Sequence, residues 1–314
     1  MHLRQTPNFK LQTIGCAFML LALVISGCEK PLLPLAVWLS AGDAPGQTVY
    51  PRGIAYHRVS DTFFIVDRQA RIQRLDKDGK YLSGWRMPEW AQGKPVGISI
   101  GPDGNVWVPD THYHRVIVYT VDGKEVKRFG TRGNAPGEFD LTADVAWDAE
   151  GNVYVAEYGQ NNRVQVFDRD LKFVRQIGRT GQGDGELSRP QSIVVSGKML
   201  YVADACNNRI AVFSLDGTFV RNMGKTGASP GEFRFPYGLE KINADQFLVT
   251  EFGNMRVQRI DAHTGAGMGT WGTSGRLAGE LMNPWATVVD ARGRAVVVDA
   301  ANNRLQVFTP PQSK

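Results

Sequence analysis

One short string recurs six times along this chain, and that recurrence limits the fold more than any other feature. It reads Phe64-Ile65-Val66-Asp67 running on to Arg71-Ile72, then Trp107-Val108-Pro109-Asp110 to Arg115-Val116, then Tyr154-Val155-Ala156-Glu157 to Arg163-Val164. It returns as Tyr201-Val202-Ala203-Asp204 to Arg209-Ile210, as Leu248-Val249-Thr250-Glu251 to Arg256-Val257, and last as Val297-Val298-Asp299 to Arg304-Leu305. A second marker precedes each copy: Pro51, Pro95, Thr142, Pro190, Pro236 and Pro284, spaced by 44, 47, 48, 46 and 48 residues. Such a period holds four short strands and their turns, so each repeat predicts one four-stranded antiparallel unit. Turn signals fall where that unit needs them. Gly101-Pro102-Asp103-Gly104-Asn105 joins a first strand to a second, and Asp122-Gly123 and Asp216-Gly217 join third to fourth.

A single four-stranded unit cannot bury both its faces, and radial stacking of six such units does. The predicted fold is therefore all-β, a six-bladed β-propeller of four-stranded antiparallel blades. The 35 glycines among 314 residues suit many turns rather than long helices. The spelling Tyr201-Val202-Ala203-Asp204, with Asn207, Arg209-Ile210 and Val212-Phe213 following, resembles the NHL repeat. Asn303-Arg304-Leu305-Gln306-Val307-Phe308 repeats its second half. The resemblance implies the propeller fold and leaves function open.

The sixth repeat stops near Thr309, after its third strand. At the other end, Leu35–Gly46 matches the blade-ending string Phe219–Gly231 in register. Leu35–Leu39 is therefore predicted to supply the outer strand of the last blade and so to latch the ring. The propeller is expected to occupy residues 35–314.

Residues 1–27 read as an address. Arg4 and Lys10 precede the apolar run Ile14–Ile25, which is shorter than the roughly 20 residues that span a bilayer but suits a signal-peptide core. Ile25-Ser26-Gly27-Cys28 resembles a bacterial lipobox, which implies cleavage before Cys28 and a lipid on its sulfur. Residues 28–34 are then a short lipidated tether, and the protein is expected to be exported and lipid-anchored to a bacterial membrane. Glu29 stands where an Asp would resemble an inner-membrane retention signal, which favours the outer membrane. Processing leaves 34 basic against 31 acidic residues, a formal charge of +3. That balance and the export signal argue against a nucleic-acid partner. Cys206 is left as the lone thiol, so no disulfide framework is expected.

The recurring pairs Asp67 and Arg71, Asp110 and Arg115, Glu157 and Arg163, Asp204 and Arg209, Glu251 and Arg256, and Asp299 and Arg304 are read as turn-fixing, because catalysis has no use for six identical copies. In a meander the second-to-third loops and the inter-blade loops must share one face. Arg132, Arg179 and Lys225 fall there, beside recurring Gly-x-x-Gly strings, with His112, His114 and the Asn pairs Asn161-Asn162, Asn207-Asn208 and Asn302-Asn303. Asp144 replaces the Gly53, Gly97 and Gly238 of sister repeats and is placed beside the mouth of the central channel. Departures from a repeat are where a symmetric scaffold acquires a site, so Asp144, His112 and His114 are the candidate ligand residues, with Arg132, Arg179 and Lys225 as a basic rim.

Some NHL-like propellers are amidating lyases, a likeness that implies zinc on three histidines. Only four histidines follow the leader, and His57 and His263 are expected on the opposite face, so that zinc site is not expected. A zinc site from His112, His114 and a carboxylate such as Asp144 or Asp110 is the alternative. A calcium site of the kind found in lactonase-like propellers could begin at Asp144, but no axial Glu is evident. No cofactor and no catalytic residue are predicted. The expected function is a monomeric binding or scaffolding module for an envelope protein, peptide or glycan. The alternative is a metal-dependent lyase or lactonase at the channel mouth.

Overall fold

The computed structural model describes residues 32–310 together with His2. The leader, Cys28 and most of the tether lie outside the described residues. Among the described residues no helix is long and apolar enough to cross a membrane.

Six four-stranded antiparallel sheets follow one another along the chain. Blade 1 comprises Pro51–His57, Thr62–Asp67, Arg71–Leu75 and Tyr81–Arg86; blade 3 comprises Leu141–Trp147, Val153–Tyr158, Arg163–Phe167 and Phe173–Ile177. Blade 4 runs from Pro190–Ser196 to Phe219–Met223 and blade 5 from Pro236–Asn243 to Gly267–Trp271. In blade 6, Pro284–Val289, Ala295–Asp299 and Arg304–Phe308 are completed by Ala36–Trp38, paired antiparallel as Ala36 with Val307, Val37 with Gln306 and Trp38 with Leu305. The latch expected from Leu35–Leu39 is present.

Burial follows from the stacking. Second strands are covered on both faces, so they are continuous apolar runs such as Phe63–Val66, fully buried. Outer strands are covered on one face and alternate, as in Tyr81–Arg86. Val37, Leu82, Val126, Val174 and Val220 are the outward members of that alternation.

Blade 2 departs from its sisters. Its inner strand is only Ser99–Ile100, and Pro95 lies outside it. The preceding connection carries Pro88 and Pro95 and lacks the Gly-x-x-Gly string found between other blades. Gly97 passes so close to blade 3 that a Cβ there would lie 2.2 Å from the carbonyl oxygen of Ala143.

Candidate functional site

The repeated acid–arginine pairs are part of the scaffold. Arg163 donates from Nε to Glu157 at 2.6 Å and from its outer nitrogens to the carbonyls of Asn134 and Glu138. Arg209 does the same with Asp204 and the carbonyls of Gln182, Gly183 and Glu186; Arg256 pairs with Glu251, Arg304 with Asp299 and Arg71 with Asp67. Each arginine therefore joins the second-to-third loop of its blade to the inter-blade loop before it, which puts both loop sets on one face. Arg115 pairs with Asp110 as well, but takes Glu89 where its sisters take loop carbonyls. Burial pushes the Asp110 carboxyl up to about 6 despite Arg115.

The Asn pairs are latches. The first Asn reaches back to a loop carbonyl, as Asn207 does to Gly181 and Asn302 to Gly275, both at 2.9 Å. The second accepts the N–H that precedes the next blade's proline: Asn162 from Arg189, Asn208 from Phe235, Asn303 from Tyr50. Those three donor residues hold left-handed φ values of 59°, 48° and 50°.

Of the candidate histidines in blade 2, His114 occupies the position of the second Asn, and His112 lies two residues before it, where Cys206 stands in blade 4. His114 is left-handed like Asn208 and Asn303, and its Nδ1 lies 2.5 Å from the carbonyl oxygen of Asp140 in blade 3. His112 accepts the N–H of Lys94 on Nδ1 at 3.1 Å. Burial lowers its pKa, which disfavours the charged ring. Both imidazoles thus have one nitrogen committed to holding neighbouring segments. Arg132 is exposed, Arg179 pairs with Glu186 at 3.1 Å, and Lys225 lies 3.4 Å from Glu232. These three lie on inter-blade loops, and neither they nor the histidines line the channel with Asp144.

Asp144 sits deeper than the mouth position expected for it. It is in mid-strand, opposite Ala156, and bridges three blades. Oδ1 accepts from Ser99 Oγ at 3.1 Å and its neighbour's N–H at 2.8 Å; Oδ2 accepts from Ser192 Oγ at 2.8 Å and the Ile193 N–H at 3.0 Å. Burial raises its pKa, opposed by those four donors.

Glu240 of blade 5 also faces the channel, a residue that reading the sequence missed. It accepts the Val289 N–H at 3.0 Å, and burial, aided by the charge of Asp144, pushes it up to about 7. Its signal was available: four residues after each repeat marker stand Ala55, Ser99, Ala146, Val194 and Val288, and only blade 5 has an acid. The channel holds about 140 Å³, enough for a few waters and below the roughly 300 Å³ of a small-molecule site. Among the described residues no three His, Cys, Asp or Glu side chains are grouped to hold a metal ion.

Tyr237 and Trp285, which also line the channel, belong to a collar of aromatic and cationic side chains. Trp285 packs edge-on to Tyr237 at 5.0 Å and to Tyr50 at 6.0 Å, and Tyr237 stacks on Phe252 at 4.7 Å. The Arg52 guanidinium lies 4.9 Å from the Trp285 ring, and that of Arg189 lies 5.1 Å from both Tyr158 and Tyr237. A β-bulge explains why these side chains are here. Pro51 pairs with Asp67 and Gly53 with Val66, leaving Arg52 as the extra residue; Tyr237 is extra in blade 5 in the same way.

The six-bladed beta-propeller family is matched over residues 184–246 and the NHL repeat over residues 281–308. The chain is a six-bladed propeller that carries an NHL repeat. The propeller is 32% identical over 145 residues to rat (Rattus norvegicus) peptidylglycine alpha-amidating monooxygenase, which covers 43% of this chain and 14% of that protein. It is 28% identical over 153 residues to human (Homo sapiens) NHL repeat-containing protein 3, covering 44% of this chain and 43% of the relative. The aligned stretch is thus less than half the length of either relative. A streptogramin B lyase structure superposes with a TM-score of 0.62 at 11% identity, over 87% of this chain and 96% of the lyase, a likeness of fold.

Proposed function

We propose that this propeller is a membrane-anchored binding module, tethered by a lipid on Cys28. In this reading it presents its inter-blade loop face to an envelope protein, peptide or glycan. The observation that carries the reading is the collar at the centre of that face. The repeat arginines, Asn pairs and histidines of the same face are consumed in holding loops together, whereas Arg52 and Arg189 form no ion pair among the described residues. A stiff scaffold with unspent cationic and aromatic groups at its centre suits recognition.

The test uses the lipidated protein purified from detergent-solubilised envelope after cross-linking. A bound partner is expected to be lost on Arg132→Glu with Arg179→Glu, and retained on Lys198→Glu, which lies in a first-to-second turn on the other face. Equal capture by both variants would overturn the face assignment. Cys28→Ala is expected to move the protein out of the membrane fraction, and unchanged fractionation would overturn the anchor.

A further inference from the structure

Two buried donors at the collar have no acceptor. Nε of Arg52 and Nε1 of Trp285 are shut off from solvent and unpartnered, and Trp285 as a whole is only 7% exposed. A buried unpaired donor costs about 1–3 kcal/mol, and in a folded protein such a group calls for a reason. Contact with a ring face uses none of the five N–H donors of a guanidinium. Arg189 has a single side-chain hydrogen bond, from Nε to Gln191 Oε1 at 3.3 Å, and Arg52 has none among the described residues. Arg68 and Arg189 add like charge around Arg52, and among the described residues neither Arg52 nor Arg189 has a carboxylate within hydrogen-bond distance. Asp144 and Glu240, the acids of the channel, are engaged with backbone and serine donors.

We infer that the collar is a binding site for an oxyanion, a carboxylate or a phosphate, carried on a flat apolar or aromatic body. The oxyanion would lie between Arg52 and Arg189, where planar guanidinium forks match its geometry. The body would lie against Tyr237 and Trp285, whose ring faces and edges already form an apolar wall. Tyr237 and Trp285 also line the channel, which is too small to take such a ligand whole, so the ligand rests against these two rings without filling it. The inference rests on the reading of this face as the binding face and adds the chemistry of what it takes.

The same geometry makes a prediction that a structural role for Arg52 does not. Without ligand, the unpaired guanidinium contributes desolvation cost and like-charge repulsion, so Arg52→Met should leave the thermal midpoint unchanged or raise it while binding is lost. Benzoate and phenyl phosphate serve as probes of the two oxyanions, with benzylamine as the cationic control, in calorimetric titration of the soluble mature chain. Wild type is expected to bind at least one anion, each single variant Arg52→Met or Arg189→Met at least tenfold more weakly, and benzylamine not at all. The tighter of the two probes identifies the oxyanion. Binding that survives both substitutions, benzylamine binding as well as the anions, or no anion binding by the folded wild type would each overturn the inference. So would a lowered midpoint with undiminished probe binding in Arg52→Met. Partner capture that persists when probe binding is absent sinks this inference alone, and probe binding without any partner sinks only the docking reading.

Discussion

The side-chain oxygen of Asn303 accepts the backbone N–H of Tyr50 at 2.8 Å, so residues 253 positions apart meet where the ring ends and begins. Tyr50 holds a left-handed φ of 50°, a conformation that needs outside support in a residue with a bulky side chain. Asn303→Gly preserves the φ of 54° at the loop but strands that N–H, and should cost about 1–2 kcal/mol in urea denaturation. Asn303→Asp keeps an acceptor and should lose much less.

Ring closure has an apolar half as well. Trp38 is 6% exposed and meets Phe63 edge-on at 5.3 Å, so the latch strand is anchored in the joint between the last blade and the first. Trp38→Ala should cost about 3–5 kcal/mol. Its neighbour Val37 points outward, and Val37→Ala should fall within about 0.5 kcal/mol. Thermal denaturation of the two variants checks the contrast, and equal losses would contradict the observed facing.

Two arginines that look alike in composition should behave differently. Arg163 is buried against Glu157, and Arg163→Met leaves that carboxylate unpaired, a loss of about 3–5 kcal/mol. Arg179 is exposed beside Glu186, and Arg179→Met should change stability by no more than about 0.5 kcal/mol. Denaturation midpoints measured at matched salt decide it.

Glu240 gives the channel a pH signature. Its folded-state pKa, pushed up to about 7 by burial, stands above the ordinary 4.5. Between those values the folded protein keeps a proton that the unfolded chain has released, so stability falls as pH rises through this window and levels off above 7. Glu240→Gln should remove that share of the slope. Unfolding midpoints at pH 5, 6, 7 and 8 for both proteins measure it; parallel curves would contradict the assignment.

Much of this architecture could be read in advance because a repeat reports one local solution six times. The apolar runs Phe63–Val66 and Tyr154–Ala156, the acid near the end of each of these strands and the arginine that opens the next fix blade number, strand order and shared face. The latch was legible for the same reason, since Leu35–Gly46 repeats a blade ending found in mid-chain. Site residues were harder. Asp144 stood out as an exception in a small-residue column, but its depth did not, and the equally exceptional Glu240 passed unnoticed among uncharged positions.

The sequence by itself determined the number of blades, their strands and the way the ring is joined, because those features rest on periodicity and local turn chemistry. Which side chains meet at the axis was decided only by the tertiary structure. The bulge after the inner-strand marker in every blade but the second shifts the alternation, which puts Arg52 and Tyr237 at the mouth. Close packing of six inner strands then brings Asp144 within reach of Ser99 and Ser192, residues 45 and 48 positions away. Neither the parity shift nor the convergence is a property of any one repeat. Both arise when six copies share a single axis.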